Sequence, residues 1–519
     1  MLLIGLLSLI LISSNSIFTT KEYKNLIHIS ILIMLYMIII LNDSISLTLI
    51  NNGILLFNKT FLLTSYNIII KNLIIILSII YFIILYNYSE YYNNTKYIKE
   101  YILLILFNIL SICLFIDSIN SLIIFVAIEL QSYSLYLITA TYYKNETSVG
   151  IYSSKNGLIY FLLGSLASII ILFGLTIIYN QSGLINLIEL NYYLNSYKPN
   201  NIESLNYIIG FIFVFIGLFF KIGLAPIHNW LINIYTNVPT VVTLWISILP
   251  KISILTFILT LNIIFNNIFD NWQFNLLFQL FIISSMIIGS LGGLPQFSIK
   301  RILAYSGLAN SSYILLAIWS NNQYSIFSYI FYITQYSITH FTIFMSLIFI
   351  IMYYNNWLYY KRISSDDNNL KSNKNYTHNL YLSDIIDIIS YNKSLSIVII
   401  ICLSSFMGIP PLLGFYGKYY ILFSSLLSGY WFTSILLILV SIITAYYYGY
   451  IIKMIYSTSS KLNNNELYKM NIINNNNINN NNFIYCYIIS ILALLIIFPL
   501  LYLDIYQNGI VIVNYLNNI

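Results

Sequence analysis

Long apolar runs separated by short polar connections dominate this chain. A helix that crosses the hydrocarbon core of a bilayer needs about 20 mostly apolar residues. That template predicts about fourteen membrane helices, at 2–18, 27–41, 67–88, 100–116, 120–143, 154–179, 206–235, 239–264, 273–295, 299–320, 323–354, 395–427, 431–456 and 483–503. The first run lacks the basic flank and the small-residue cleavage site of a secretory signal, so we expect it to remain as a membrane helix.

Proline and glycine residues interrupt two of these segments. Gly223 and Pro226 lie in the seventh segment, and Gly408, Pro410 and Pro411 lie in the twelfth. A proline inside a helix frees a backbone carbonyl, which a membrane tolerates only where protein or water satisfies it. Because broken helices at corresponding places mark internally repeated transporters, the two breaks predict two five-helix repeats.

The predicted organisation has four parts. An N-terminal three-helix segment covers 1–99, and the first repeat (helices 4–8) covers 100–264. The second repeat (helices 9–13) covers 273–456 and contains a polar loop at 355–394. An asparagine-rich loop and a final helix occupy 457–519.

Composition excludes a soluble domain. Of the 519 residues, 59% are hydrophobic and only 7% are charged, whereas a soluble domain carries roughly 25% charged residues. This number of charged residues is too small to cover the surface of a soluble fold of this length. The chain is therefore predicted to be an all-α polytopic membrane protein. The joint excess of Ile, Asn, Tyr and Lys follows A- and T-rich codons, as in many organellar genomes.

The basic residues predict the orientation of the helices. Sixteen of the 22 Lys and Arg residues fall in odd-numbered connections or at helix ends on the same side, and Lys59, Lys71 and Lys198 fall in even-numbered connections. The positive-inside rule then puts the odd-numbered connections on the inner side and both termini on the opposite side. Lys300 and Arg301 are expected to anchor the start of the tenth helix on the basic side.

Four ionisable residues lie deep inside apolar segments: Glu129, Lys221, Lys251 and Lys418. A charge at the centre of a bilayer costs at least ~2.5 kcal/mol, so such residues mark ion or proton pathways by default. Burial disfavours the charged form of a lysine, whereas a nearby carboxylate favours it. We therefore predict that these residues form a proton-translocation row, with Glu129 as the partner of Lys221. Structural ion pairing is the alternative.

Two histidines are further candidates for the relay. His228 either lines the same path or satisfies a freed carbonyl, and His340 either bridges towards the twelfth segment or only packs. The three cysteines match no metal or disulfide spacing. Since dinucleotide fingerprints and phosphate-binding loops are also lacking, we expect no cofactor or metal in this chain and no nucleic-acid partner.

Five ordered motifs resemble the antiporter-like membrane subunits of mitochondrial NADH:ubiquinone oxidoreductase (respiratory complex I). They span about 120–425 and read FVAIELQSYSLYLI, YFLLGSLASIIILFG, FKIGLAPIHNWLINIYTNVPTVVTLWISILPK, QFSIKRILAYSGLANSSYILL and FMGIPPLLGFYGKYYIL. Lys418 stands where subunit 4 is expected to have a glutamate, and the chain ends without the long lateral helix of subunit 5. The resemblance is therefore to the subunit 2 family.

The resemblance implies a fourteen-helix antiporter-like fold with two inverted five-helix repeats. It also implies a proton-translocating, multi-pass subunit of the mitochondrial inner membrane, with the odd-numbered loops in the matrix and both termini on the intermembrane-space side. The implied partners are the other membrane-arm subunits, accessory subunits and lipid. Flavin, iron–sulfur clusters and ubiquinone would belong to other subunits, so the chain would take part in an enzyme without performing redox chemistry itself.

The family's functional residues fall on the four residues already singled out. Its glutamate of the fifth helix matches Glu129, and its lysines of the seventh, eighth and twelfth helices match Lys221, Lys251 and Lys418.

Two positions depart from the family pattern. Ile159 replaces a lysine of the sixth helix, and Lys155, one turn earlier on the same face, is a candidate replacement. Asn310 replaces a frequent histidine of the tenth helix. Asparagine can support a water chain but does not titrate, so the central relay would depend more on water.

Three alternatives to a complex I subunit 2 remain open from the sequence. A cation/proton antiporter subunit would share the fold, and so would the sister subunits 4 and 5. A structural membrane scaffold would use the buried charges as ion pairs without transport.

Overall fold

Helices make up almost all of the chain that the computed structural model describes. The described residues are 23–50, 53–91, 98–141, 148–196, 201–266, 271–322, 324–364, 382, 393–458 and 480–498. The predicted first helix at 2–18, most of the polar loop at 355–394 and most of the asparagine-rich loop lie outside them.

The described helices overlap every predicted segment from the second to the fourteenth. They are α1 (Tyr23–Ile50), α2 (Ser65–Tyr91), α3 (Ile98–Asp117), α4 (Ser121–Thr141), α5 (Ser148–Ser182), α6 (Leu187–Ser196), α7 (Asn201–Ile222), α8 (Asn229–Asn237), α9 (Thr240–Ile264), α10 (Trp272–Leu291), α11 (Ile299–Trp319), α12 (Ser325–Ser364), α13 (Lys393–Met407), α14 (Leu413–Leu427), α15 (Trp431–Thr458) and α16 (Asn480–Ile497). Eleven of the described helices are long and apolar enough to cross a membrane.

Three helices form the centre of the bundle. The most apolar 18 residues of α9 and of α12 are all buried, and 94% of the corresponding stretch of α11 is buried. A helix that is apolar all round is typical of such a buried position. By contrast, α5 points Leu158, Leu162 and Ile169 outward, each more than 60% exposed, as a face towards hydrocarbon requires. Polar groups on α9, α11 and α12 are therefore held inside protein.

A short β-hairpin was not predicted. Strands β1 (Ile54–Leu56) and β2 (Phe61–Leu63) pair antiparallel, and both are short apolar stretches that follow the apolar helix α1. The Ile119 N–H donates to the Thr60 carbonyl at 3.0 Å, and the Leu187 N–H donates to the Ile119 carbonyl at 3.1 Å. The hairpin, the α3–α4 turn and the α5–α6 turn are thus joined on one face of the bundle.

Candidate functional site

The first interrupted helix consists of α7 and α8. Gly223 has φ +81°, a backbone conformation that glycine adopts without steric cost. Its N–H donates to the carbonyls of Phe219 and Phe220 at 3.0 and 2.9 Å, and the N–H of Leu224 donates to Phe219. This is a left-handed helix ending. Lys221 consequently lies at the carbonyl end of α7, where the helix dipole favours a positive charge.

The second interrupted helix, α13 and α14, ends its first half in the same way. Gly408 has φ +86°, and its N–H donates to the carbonyls of Ser404 and Ser405 at 3.2 and 3.1 Å. The N–H of Ile409 donates to Ser404, as Leu224 does to Phe219 at the first break. The two interruptions lie where Pro226 and the Pro410–Pro411 pair were expected to produce them.

Lys418 reaches back across the second break. Its Nζ lies 2.7 Å from the carbonyl oxygen of Phe406 and 3.0 Å from that of Met407. These are the last carbonyls of α13, which have no partner within the helix. Lys221 precedes its break and belongs to the last turn of α7, whereas Lys418 follows its break and brings its ammonium to the carbonyl end of α13.

Glu129 and Lys221 form an ion pair between α4 and α7. The Oε1–Nζ distance is 3.6 Å, and the two side chains are 14% and 8% exposed. This is longer than a normal hydrogen bond, so the attraction is mainly that of two charges. Removing one partner of a largely buried pair leaves the other charge uncompensated.

A small cavity adjoins this pair. Its lining includes Lys221, Gln131, Tyr160 and Trp230, and its water-accessible volume is about 30 Å³. One bound water requires about 10–15 Å³ of water-accessible volume, so the cavity has room for one or two water molecules. The Gln131 amide also donates to the Ser253 hydroxyl at 2.9 Å. The pair on α4 and α7 is thus connected towards α9 by polar groups.

Lys251 lies in the central helix α9 and is 3% exposed. Its Nζ is 5.7 Å from the ring centre of Tyr235, within the range of a cation–π contact. Among the described residues, Nζ has no hydrogen-bond partner. No carboxylate or carbonyl of the described chain therefore stabilises the charge of Lys251, whereas Glu129 stabilises that of Lys221.

Asn310 lies on α11 between the central lysine and Lys418. Its Oδ1 accepts a hydrogen bond from the Tyr332 hydroxyl at 2.9 Å. Lys418 Nζ is 5.9 Å from the ring centre of Tyr313, one turn from Asn310. Aromatic hydroxyls and an amide thus occupy the region between α9 and α14.

The two histidines occupy different surroundings. His228 Nδ1 lies 3.1 Å from the Pro226 carbonyl oxygen, so its ring contacts the backbone at the break. His340 is fully buried in α12, with its ring 5.0 Å from that of Tyr336 and 6.1 Å from that of Phe406 on α13. Neither ring nitrogen of His340 has a hydrogen-bond partner among the described residues.

The expectation that Lys155 joins the row does not agree with its position. Lys155 is exposed, and Ile159 on the same face of α5 is 37% exposed. A side chain on this face points away from α9 and α12. Lys155 therefore lies outside the buried row of the described chain.

Lys300 is buried, and the anchoring role predicted for it was wrong. Its side chain lies inside the bundle, 2% exposed, and Nζ lies 2.6 Å from the Val238 carbonyl oxygen at the end of α8. Arg301, by contrast, is exposed. Lys300 thus links the second predicted repeat to the broken helix of the first. The sequence did not reveal the burial of Lys300, because a lysine at the start of a helix is exposed or buried according to the neighbouring helix.

Lys71 was also misassigned, since it was placed in a connection. It lies in α2 and forms an ion pair with Asp117 of α3, with the two side chains 6% and 10% exposed. The sequence signal for this ion pair was Asp117 at the end of one apolar run and Lys71 just inside the preceding apolar run. Their pairing could not be inferred without the contact between α2 and α3.

Replacing Lys71 with methionine is expected to destabilise the protein, because Asp117 would keep a buried and unpaired charge. Breaking such a pair costs about 3–5 kcal/mol in free energy of unfolding. The thermal unfolding midpoint of the detergent-purified protein measures the effect. The double variant Lys71→Met/Asp117→Leu should recover most of the loss, and an unchanged midpoint in the single variant would show that the pair contributes no stability.

Comparison with known proteins identifies relatives of this chain. The family model described as NADH:quinone oxidoreductase/Mrp antiporter, transmembrane, matches residues 118–444. NADH-ubiquinone oxidoreductase chain 2 of Wickerhamomyces canadensis is 43% identical over 331 residues, which cover 61% of this chain and 54% of the relative. Chain 2 of Candida albicans is 33% identical over 375 residues, covering 72% of this chain and 70% of the relative.

Solved structures share the fold. A chain of respiratory complex I from Thermus thermophilus has a TM-score of 0.67 at 21% identity, covering 88% of both chains. A chain of an archaeal membrane-bound sulfane sulfur reductase has a TM-score of 0.75 at 16% identity, covering 100% of this chain and 98% of the other. The chain spans little more than half the length of the Wickerhamomyces relative. It belongs to the NADH:quinone oxidoreductase/Mrp antiporter family of transmembrane subunits, in the group that contains NADH-ubiquinone oxidoreductase chain 2.

Proposed function

We propose that this chain is a proton-translocating membrane-arm subunit of mitochondrial NADH:ubiquinone oxidoreductase. Its family membership supports the assignment to the complex. The observation that carries the transport role is the interior arrangement of Glu129, Lys221, Lys251 and Lys418. These groups lie on α4, α7, α9 and α14, with amides, hydroxyls and a cavity of about 30 Å³ among them. Intramembrane ionisable groups on such a path mark proton relays.

The proposed mechanism begins at the Glu129–Lys221 pair. While the carboxylate is near, it stabilises the ammonium form of Lys221. When Glu129 is protonated or moves away, the buried ammonium loses that support and releases a proton into the adjoining cavity. Water in the cavity, oriented by the Gln131 amide, then transfers the proton towards α9. Because no described carboxylate holds Lys251 charged, this lysine can accept the proton and later release it.

The second half of the row continues this charge coupling. A proton on Lys251 disfavours a proton on the next buried lysine, because like charges repel strongly away from bulk water. Tyr332, Asn310 and Tyr313 supply groups for a water-assisted path towards Lys418. Asn310 orients water without taking a charge. The carbonyls of Phe406 and Met407 stabilise Lys418 in its charged form.

The finer architecture forms part of this proposal. It comprises fourteen helices, with two inverted repeats over helices 4–8 and 9–13 and the four-part organisation predicted from the sequence. The equal hydrogen-bond patterns at Gly223 and Gly408 support a repeat. The odd-numbered loops would face the matrix, with both termini on the intermembrane-space side. NADH oxidation, flavin, iron–sulfur clusters and ubiquinone would belong to other subunits, and other membrane-arm and accessory subunits would be direct partners.

Purification of the tagged chain from native membranes tests the assignment. A subunit of this complex is expected to bring with it an assembly that oxidises NADH and reduces ubiquinone. A cation/proton antiporter subunit, which the same family description includes, should bring a complex that exchanges cations without oxidising NADH. That second outcome would overturn the assignment to NADH:ubiquinone oxidoreductase, and the buried row of charges would then belong to a cation/proton antiporter.

A further inference from the structure

Three polar side-chain ends converge on the place where Gly307 of α11 has no side chain. A β-carbon built on Gly307 would lie 3.3 Å from the Tyr336 hydroxyl, 3.5 Å from Lys251 Nζ and 3.9 Å from His340 Nε2. Lys251 is 3% exposed, Tyr336 is 2% exposed and His340 is fully buried. None of these three atoms has a hydrogen-bond partner among the described residues.

The surroundings of Gly307 differ from those of a packing glycine. At Gly289 of α10, a β-carbon would lie 2.7 Å from the Ala309 nitrogen and 3.0 Å from the Tyr305 carbonyl oxygen. That glycine allows the backbones of α10 and α11 to approach closely. At Gly307 the three nearest atoms are instead an ammonium, a hydroxyl and an imidazole nitrogen from α9 and α12, so polar side-chain ends rather than a neighbouring backbone meet this position.

We propose that the space over Gly307 binds one water molecule that connects Lys251 to Tyr336 and His340. Buried waters typically make about three hydrogen bonds to polar groups that lack other partners. The water oxygen would lie beyond the β-carbon position, in van der Waals contact with the Gly307 Cα, where the three polar atoms converge and where hydrogen bonds to them can form. It would accept from the Lys251 ammonium, donate to a neutral His340 Nε2 and either donate to or accept from Tyr336.

Gly307 is then a positioning residue for proton movement, an inference that rests on the proposed function. The bound water provides the first step from Lys251 on α9 to the groups of α12. A methyl group in the same place would separate the three polar atoms and offer no hydrogen bond. A hydroxymethyl group would occupy similar space but would supply an oxygen that can replace the water.

Two variants separate hydration from packing: Gly307→Ala and Gly307→Ser, measured in the assembled complex. Both add the same β-carbon, so they share its steric cost, and serine adds only a hydroxyl oxygen to it. We expect Gly307→Ala to slow proton transfer through this subunit by about tenfold or more, as loss of a positioned proton carrier does. Gly307→Ser should retain most of the wild-type rate. Gly449→Ala is a matched control, because its β-carbon would meet only the methyl end of Met407, at 3.8 Å.

Each outcome is decisive. Rescue by serine, with alanine impaired, supports the water site. Wild-type translocation in Gly307→Ala overturns it, and so does an equal loss of activity or assembly in both variants, since the space would then matter only for packing. The Lys221→Gln variant, run in parallel, tests the proposed function separately. If it translocates protons normally, the function fails, whereas a loss there beside normal Gly307→Ala behaviour contradicts only this inference.

Discussion

Replacing Lys221 with glutamine is expected to abolish proton translocation while the complex still assembles. Glutamine keeps a polar group at the carbonyl end of α7 and can donate a hydrogen bond to Glu129, but it carries no proton to transfer. Positioned proton carriers contribute typically 10²–10⁴-fold to rate, so proton transfer through this subunit should slow by at least about tenfold. The quenching of a pH-sensitive dye in proteoliposomes that contain the purified complex measures this.

Lys155→Gln is the matched control for this experiment. It removes a lysine from the same half of the chain but from the exposed face of α5. Translocation in this variant should equal that of the wild type. Normal translocation in Lys221→Gln would contradict a transport role for the ion pair, and failure of that variant to assemble would favour a structural scaffold.

Replacing Lys251 with methionine is expected to separate stability from function. Methionine fills nearly the same volume without a charge, and the substitution gives up only the Tyr235 ring contact and the proposed water, because Lys251 Nζ has no hydrogen-bond partner among the described residues. Replacing buried charge by apolar side chains of similar volume is often neutral or stabilising. The thermal midpoint of the complex should therefore stay unchanged or rise, whereas proton translocation should be lost.

The control for this variant is Lys453→Met, which changes an exposed lysine of α15. It should change neither the thermal midpoint nor translocation. If Lys251→Met lowers the thermal midpoint and the surviving complex translocates protons at the wild-type ratio, Lys251 has a structural role and the proposed row is interrupted at its centre.

The sequence predicted much of the fold because hydrocarbon imposes simple rules on a helix. Apolar runs of sufficient length marked the helices, and the Gly–Pro clusters marked both interruptions. The hairpin at 54–63 was missed, since its strands are as apolar as the helix before them. The count of fourteen stays a prediction, because its first segment lies outside the described residues.

Deep charges could be recognised from the sequence, but charges near helix ends could not. Lys221, Lys251 and Lys418 lie so far inside apolar runs that their burial followed from position alone. Lys71 and Lys300 lie near segment ends, where a side chain reaches water or buries according to its neighbours. Only the contacts with Asp117 and Val238 distinguish the two cases. Nothing in the sequence indicated the role of Gly307, because that role depends on the side-chain atoms of α9 and α12 that lie next to it.

A density map of the assembled complex that resolves ordered water tests the central claim most directly. We expect a continuous file of water and polar side chains from Lys221 past Lys251, Tyr336 and Asn310 to Lys418. Dry apolar packing between Lys251 and Lys418, with each lysine enclosed in a separate pocket, would contradict the account.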